Sequence, residues 1–263
     1  MTATSWLVFL VMAAAQAAPG PSPRSAPVVV SYEAERQIVL RQPVAVQFHV
    51  DNRSGQPVRF DLGFNATYNF LVTITAPNGQ RLQAPRVPAV GGGDQVFGGG
   101  RRRLGVGEQY VQQLLLSEWF GFPQPGRYRI DIRLTNDIVS EAGAKLETAT
   151  NGVIDLEVGP PDSRILQNLA DELAEQILAT QNVAQRYAAA RMLSYITDPA
   201  ATEYIRRVLE RTDVVDHILI AGLERIVTSD SAALLTQLAA SSNESRASWA
   251  QEALRRTRAR SIK

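Results

Sequence analysis

A change in the spacing of apolar residues near position 160 constrains the fold of this chain more than any other feature. Between Val28 and Val158, apolar residues alternate with polar ones, which is typical of half-buried β-strands. After Ser163, apolar residues recur every three or four positions, which is the spacing of an amphipathic helix. One change of period therefore predicts two units, an all-β unit followed by an all-α unit.

The first unit shows its alternation most clearly in PVAVQFHV, which ends at Val50, and in RYRIDIRL, which ends at Leu134. Turn residues separate such segments, as in Asp51–Pro57 and Ala76–Gly79. There are six or seven short segments of this kind, and no helix of crossover length lies between them. The pattern predicts an antiparallel β-sandwich over residues 26–158.

Gly159-Pro160-Pro161 marks the boundary between the two units, and residues 159–162 form the predicted hinge. Proline cannot extend a sheet, and it disfavours helical backbone in the residue before it. Asp162 or Ser163 can then cap the first helix of a helical unit that covers residues 163–260. The predicted apolar stripe of that first helix consists of Ile165, Leu169, Leu173 and Ile177.

The later helices repeat among themselves at intervals of about thirty residues. The matching apolar positions are Ala189, Leu193 and Ile196, then Leu219, Leu223 and Ile226, and then Ala250 and Leu254. The segments ARMLSYITDPAATEYIRRVL and AGLERIVTSDSAALLTQLA resemble the short HEAT-like repeats of bacteria. This resemblance implies a HEAT-like α-solenoid, in which stacked helix pairs share a buried face.

The first unit is similar to immunoglobulin-like domains of exported bacterial proteins, through GEQYVQQLLLSEWF and PGRYRIDIRL. It also resembles, more distantly, the bacterial intracellular proteinase inhibitor domain, through a Gly-Glu before one strand and Pro-Gly-x-Tyr before another. The first resemblance implies an immunoglobulin-like β-sandwich. The second implies an inhibitory loop, for which Pro85–Arg103 is the candidate.

The sequence begins with MTATSWLVFLVMAAAQAAPG, which has the layout of a secretory signal peptide. Trp6–Ala15 is apolar, and Ala15-Gln16-Ala17 fits the A-x-A cleavage pattern. We expect a signal peptide over residues 1–18, cleaved after Ala17 or Ala18, and a periplasmic or secreted protein. No basic residue precedes the apolar run, so an uncleaved anchor or a misassigned start stays open. No later segment is predicted to cross a membrane.

The stretch VGGGDQVFGGGRRR, at residues 90–103, raises the question of a phosphate-binding loop. A P-loop places Lys and then Ser or Thr after its final glycine, whereas Gly99 and Gly100 occupy those positions here. A dinucleotide fingerprint would need a helix after the glycines, and a strand is predicted instead. The stretch is therefore predicted to be a loop between strands. Its candidate partner-binding residues are Phe97, Arg101, Arg102 and Arg103.

A second candidate is the aromatic cluster of Ser117–Phe122, which contains Trp119, Phe120 and Phe122. Exposed aromatic residues would form a platform for a peptide or a sugar, because they provide a large contact area at a modest entropic cost. In the alternative interpretation, the same side chains plug one end of the sandwich or pack against the helical unit. We retain the three aromatic residues as candidate partner-binding residues.

Composition and motifs favour binding over catalysis. The chain has no cysteine, which excludes thiolate catalysis, and its net charge of +1 gives no reason to expect nucleic acid as a partner. The two histidines, His49 and His217, lie in different units, and Asp213-Val-Val-Asp-His matches no strong metal-binding motif. No catalytic, cofactor-binding or metal-binding residue is predicted.

These observations predict a non-enzymatic, exported protein that binds a protein partner or acts as a scaffold in the cell envelope. The step from fold to function is an analogy, because one architecture serves many functions. Two alternatives stay open: proteinase inhibition by a loop of the sandwich, and hydrolysis of an envelope polymer. No oligomeric state is predicted.

Overall fold

The computed structural model describes residues 27–62, 69–83 and 100–261, and in this part all eleven strands precede the six helices. The strands are β1 (Val28–Ala34), β2 (Gln37–Val39), β3 (Ala45–Asn52), β4 (Val58–Asp61), β5 (Phe70–Thr75), β6 (Arg81–Gln83), β7 (Arg101–Leu104), β8 (Gln109–Leu115), β9 (Gly126–Leu134), β10 (Val139–Ser140) and β11 (Asn151–Gly159). The helices are α1 (Ser163–Ala179), α2 (Val183–Ser194), α3 (Ala201–Leu209), α4 (Asp216–Ile226), α5 (Ser229–Ala239) and α6 (Glu244–Ser261).

The strands form a β-sandwich. One layer is a five-stranded sheet in the order β2-β11-β9-β5-β6, antiparallel except for the parallel β2–β11 pair. The other layer contains two antiparallel sheets, β1-β3-β8 and β10-β4-β7. Across the interior, the rings of Phe48 on β3 and Phe70 on β5 meet edge to face with centroids 5.0 Å apart. The predicted sandwich is confirmed, because the inward residues of both layers form one apolar core.

Two features agree with an immunoglobulin-like form of the sandwich. The chain crosses repeatedly between the layers, since β3 and β8 pair in one layer while β5 and β9 pair in the other. In addition, Tyr128 near the start of β9 donates a hydrogen bond from its hydroxyl to the carbonyl of Gln124, at 2.8 Å. A tyrosine whose hydroxyl hydrogen-bonds to the backbone a few residues upstream forms the tyrosine corner, a motif found at the equivalent strand of immunoglobulin-like domains.

Asn52 joins the two sheets of one layer where their ladders break. The pairing of β3 with β8 ends at Asp51. Pairing resumes at Val58, where β4, which follows β3 in the chain, pairs with β7, which precedes β8. Asn52 is fully buried in the gap, and its amide nitrogen donates to the carbonyls of Gln56, Leu104 and Gly105 at 3.0, 3.2 and 2.8 Å. Its side-chain oxygen accepts from the backbone N–H and the hydroxyl of Ser54. One side chain therefore satisfies the backbone groups that the ladders leave unpaired.

The substitution Asn52→Ala is expected to lower the free energy of unfolding by about 2–4 kcal/mol, because several buried carbonyls lose their donor. Chemical denaturation of the variant and the wild type measures the change. Asn78→Ala is the matched control, since Asn78 is exposed and, among the described residues, its side chain accepts a single hydrogen bond, from the backbone N–H of Gln80. Equal effects of the two substitutions would contradict the structural role of Asn52.

The helices stack in two rows. Helices α1, α3 and α5 contact one another in succession, as do α2, α4 and α6, and neighbours in sequence also pack together. The apolar positions that repeat along the sequence are buried in the first two copies, from Ala189 to Ile196 and from Leu219 to Ile226. The division into two domains and the HEAT-like assignment stay predictions.

The first helix differs in one respect from its predicted stripe. Asp162 caps α1 as expected, since its carboxylate accepts from the backbone N–H groups of Arg164 and Ile165. Ile165, however, is 43% exposed, so its assignment to the buried stripe is wrong. Leu173 and Ile177 are buried and Leu169 is half-buried, so the departure is confined to the first turn, where Leu166 rather than Ile165 faces the core. The buried side chains are Leu166, Ala170, Leu173, Ala174 and Ile177.

Helix α4 ends in a conformation that its residue disfavours. Val227 has φ of 50° and ψ of 58°, in the left-handed region, and its side chain is 62% exposed. Glycine is the usual residue at this position after a helix, because a Cβ atom makes the left-handed region costly.

Val227→Gly is therefore expected to raise the free energy of unfolding by about 0.5–1 kcal/mol, the relieved strain being partly offset by the greater entropy of glycine in the unfolded chain. Thermal or chemical denaturation measures the gain. Val227→Ala retains the Cβ atom and should recover less of it. An unchanged or lower stability for Val227→Gly would show that Val227 is not strained.

Candidate functional site

The strongest candidate site is a groove of about 770 Å³ where the sandwich meets the helices, which we call the joint groove. The sandwich contributes Ile38–Gln42, Ser117–Pro123 and Val158, and the helical part contributes Tyr195, Thr197 and Arg225. The groove thus forms only because the two parts of the chain pack together.

One wall of the joint groove is held by the turn after β2. Arg41 has φ of 76°, a left-handed conformation that is uncommon for a residue other than glycine. Its carbonyl accepts from the backbone N–H of Thr197 at 3.2 Å, and its Nη1 donates to Oδ2 of Asp198, also at 3.2 Å. Asp198 is only 3% exposed, and it accepts further hydrogen bonds from Ser163 and from the backbone of Ala200. The strained turn is therefore fixed to the helices by its own backbone and side chain.

A second ion pair joins the two parts on the segment after β8. Glu118 accepts from Nε and Nη2 of Arg191 on α2, at 2.8 and 2.6 Å. Both side chains are less than a third exposed, at 21% for Glu118 and 29% for Arg191. A two-point, partly desolvated pair of this kind is stronger than an ordinary surface pair. We call Arg41–Asp198 and Glu118–Arg191 the joint ion pairs.

The pair of Glu118 and Arg191 is expected to show a coupling of about 1–2 kcal/mol in a double-mutant cycle of Glu118→Gln and Arg191→Gln. Denaturation of the wild type, both single variants and the double variant gives this value. Arg127 and Glu157 serve as the control pair, because their side chains are 92% and 47% exposed. Their coupling should stay below about 0.5 kcal/mol. A similar coupling for the two pairs would show that Glu118–Arg191 does not fasten the joint.

The predicted aromatic cluster lies at the joint groove, and its side chains plug one end of the sandwich, as the alternative interpretation expects. Its role as a platform for a partner stays a prediction. Phe120 is buried in the sandwich core, and Phe122 packs edge to face on Tyr128 with ring centroids 5.2 Å apart. Trp119 is half-buried against the same core, yet it also lines the groove with Phe120 and Phe122. Among the described residues, the buried indole N–H of Trp119 has no hydrogen-bond acceptor. These side chains close one end of the sandwich and at the same time form an apolar wall of the groove.

The predicted arginine site is not part of the joint groove. Arg101, Arg102 and Arg103 belong to β7, so the prediction of a loop through residue 103 is wrong at its end. Their backbones pair with β4, and each side chain has a neighbour: Asp61 lies 3.8 Å from Arg101, Tyr110 lies beneath Arg102, and Glu141 accepts from Arg103. Phe97 lies outside the described residues, as does most of the Pro85–Arg103 loop.

Arg225 is a groove residue that the sequence analysis missed. Its guanidinium stacks on the ring of Tyr195, 4.0 Å from the centroid, and Nη2 donates to the Tyr195 hydroxyl at 3.0 Å. Nη1 reaches the carbonyl of Ser194 at 3.4 Å. Within the described part of the chain, no carboxylate pairs with Arg225. Tyr195 and Arg225 stand one repeat apart, at the ends of α2 and α4, which is the sequence signal that could have linked them.

A row of aromatic rings crosses the even-numbered helices at successive repeats. Tyr187 on α2 lies 5.9 Å from His217 on α4, and His217 lies 5.5 Å from Trp249 on α6, measured between ring centroids. Trp249 is 39% exposed, and the other two rings are half-buried. The sequence analysis did not find this row, although it recurs with the repeat.

His49 and Asp216, two titratable residues outside the joint groove, lie close to charged side chains. His49 points away from the core, and its Nε2 lies 3.8 Å from Glu33. Asp216 is fully buried and accepts from Nε and Nη2 of Arg246, at 2.6 and 3.1 Å. Burial raises the pKa of Asp216, and the hydrogen bonds from Arg246 act in the opposite direction. The Asp213–His217 segment is thus tied to α6 by Asp216.

Two features are absent from the described residues. No three His, Cys, Asp or Glu side chains in residues 27–62, 69–83 and 100–261 are grouped to hold a metal ion. Over the same ranges, no helix has both the length and the apolar character needed to cross a bilayer.

No family model matches this chain, and no curated protein matches it. Several solved domains are similar to about half of it. A CARDB domain from Pyrococcus furiosus is 14% identical, with a TM-score of 0.29 over 52% of this chain and 96% of that domain. A PKD domain of an M14-like peptidase from a Thermoplasmatales archaeon is 8% identical, with a TM-score of 0.22 over 50% and 93%. A cohesin module of a Clostridium perfringens glycoside hydrolase is 10% identical, with a TM-score of 0.26 over 52% and 100%.

Because the identities are below 25% and the TM-scores below 0.30, these likenesses carry no argument about fold or function. The fold assignment depends instead on the strand pairing and the tyrosine corner of this chain.

Proposed function

We propose that this chain is an exported, non-enzymatic protein-binding or scaffolding protein of the cell envelope. An immunoglobulin-like sandwich and a HEAT-like helical stack together form its recognition site, the joint groove. The signal peptide of residues 1–18 directs it to the periplasm or the exterior.

The observation that supports this proposal most directly is the composition of the joint groove. Trp119 and Phe122 give it an apolar aromatic wall, and Arg41 and Arg225 add polar groups to its lining. Aromatic and arginine side chains are the types that contribute most to the binding energy of protein interfaces. A groove of about 770 Å³ accommodates a short segment of a partner chain.

The support around the joint groove also favours binding. The joint ion pairs hold the sandwich and the helices together, and Val39 packs into the helical core. A groove whose walls are fixed before the ligand arrives loses less entropy on binding. The groove is therefore suited to recognition without a large rearrangement.

Gly121→Trp tests the proposal by filling the joint groove. Gly121 lines the groove, is exposed, and has no atom within 4 Å of where its Cβ would lie, so a side chain can leave the backbone there without a clash. Gly55→Trp is the matched control, because Gly55 is equally open and does not line the groove.

The measurement uses the full chain without residues 1–18, carrying a photo-crosslinking side chain at Pro123, in an envelope extract of the native host. A partner crosslinked from the groove should bind Gly121→Trp at least about tenfold more weakly than it binds the wild type and Gly55→Trp. Equal binding to both variants, or no crosslinked partner, would refute a role of the joint groove in protein binding.

A further inference from the structure

We infer that the joint groove recognises an extended, acidic segment of a partner protein, and that Arg225 receives the carboxylate of a Glu or Asp side chain. This inference rests on the proposed function of the groove and adds the chemistry of the ligand.

Three charged side chains line the joint groove: Arg41, Glu118 and Arg225. Arg41 is paired with Asp198 and Glu118 with Arg191, so two of the three are already neutralised. In the described residues Arg225 has no carboxylate partner, and it is half-buried. A guanidinium that is partly removed from water and unpaired attracts an anionic group.

The surroundings of Arg225 hold it in a fixed orientation. The Tyr195 ring lies 4.0 Å below the guanidinium, and the bonds to Tyr195 and Ser194 use one N–H from each terminal nitrogen. Arginine has five N–H donors in one plane, so donors remain for a carboxylate. Stacking on an aromatic ring reduces the entropy that is lost when these donors bind a ligand.

The opposite wall indicates what accompanies the acidic residue. Trp119 and Phe122 belong to the sandwich side of the groove, whereas Arg225 belongs to α4. In an extended peptide, successive side chains point in opposite directions. A segment in which acidic and apolar residues alternate therefore directs its carboxylates to Arg225 and its apolar side chains to the aromatic wall.

At the groove, the edge of the sandwich is blocked at Val39 against the addition of a partner strand. Strand β2 lies at the edge of the five-stranded sheet, where an added strand would pair. At Val39, however, the backbone N–H donates to the side-chain oxygen of Gln42, and the carbonyl accepts from the backbone N–H of Gln42. Because both backbone groups of Val39 are used, a partner strand cannot pair with Val39, and a contact at this point depends on side chains.

The test measures peptide binding through the fluorescence of Trp119. The chain without residues 1–18 retains two tryptophans, and Trp249→Phe leaves Trp119 as the reporter. The probes are two acetylated and amidated hexapeptides, Leu-Glu-Leu-Glu-Leu-Glu and Leu-Gln-Leu-Gln-Leu-Gln. The glutamate peptide should bind at least about tenfold more tightly, and more weakly as ionic strength rises.

Arg225→Gln should remove this preference, whereas Arg211→Gln should retain it, since Arg211 is exposed and does not line the joint groove. A third probe, the glutamine peptide with a free C-terminal carboxylate, separates side-chain recognition from end recognition. Tight binding of that probe alone, equal binding of the two blocked peptides, or no response to the glutamate peptide would overturn the inference.

The two proposals fail separately in these measurements. If both blocked peptides bind equally and the crosslinked partner still binds Gly121→Trp more weakly than the wild type, the joint groove binds protein segments but does not select acidic ones. If the native partner binds Gly121→Trp as well as the wild type, the proposed function fails whatever the peptides show.

Discussion

The contacts that hold the sandwich against the helices are the interaction on which the rest of the structure depends. Each part has its own apolar core, and those cores alone do not fix how the parts meet. Val39 enters the helical core, the carbonyl of Arg41 bonds to Thr197, and the joint ion pairs add directional contacts. Because hydrogen bonds are directional and apolar contacts are not, these polar contacts set the geometry of the joint groove.

Local patterns predict the elements of the fold but not the places where distant segments meet. The alternation of apolar and polar residues identifies β9, because successive side chains of a strand point to opposite faces of the sheet. It does not reveal that Asn52 bridges Gln56 and Leu104, because that role depends on where the ladders break. Arg101–Arg103 follow a glycine-rich stretch and thus suggest a loop, yet pairing with β4 makes them a strand. Ile165 fits a helical stripe, but tertiary packing selects the face beside it.

Some residues of the candidate site are recognisable in the sequence, and others become apparent only in the folded chain. The aromatic cluster is recognisable in the sequence because its members are adjacent, and the fold shows that they pack on the sandwich core while they line the joint groove. Asp198 looks like a turn residue, and only the fold shows it buried beneath Arg41 and Ser163. Arg225 is one of many arginines until the repeat places it over Tyr195. Its significance depends on which carboxylates are near it, and that is a property of the folded chain.

A site at a joint differs from a site within one domain, since a ligand there contacts both parts of the protein. A segment that bridges Arg225 and Trp119 would add its own contacts to those of the joint ion pairs. A ligand that binds only when the sandwich and the helices are packed together stabilises that packing. By linkage, contacts that stabilise the packing also raise the affinity for the ligand. In the proposed function, the Glu118–Arg191 pair would therefore affect affinity although Arg191 does not line the joint groove. On that proposal the charges of the joint have two uses: the joint ion pairs hold the parts together, and Arg225 receives the partner.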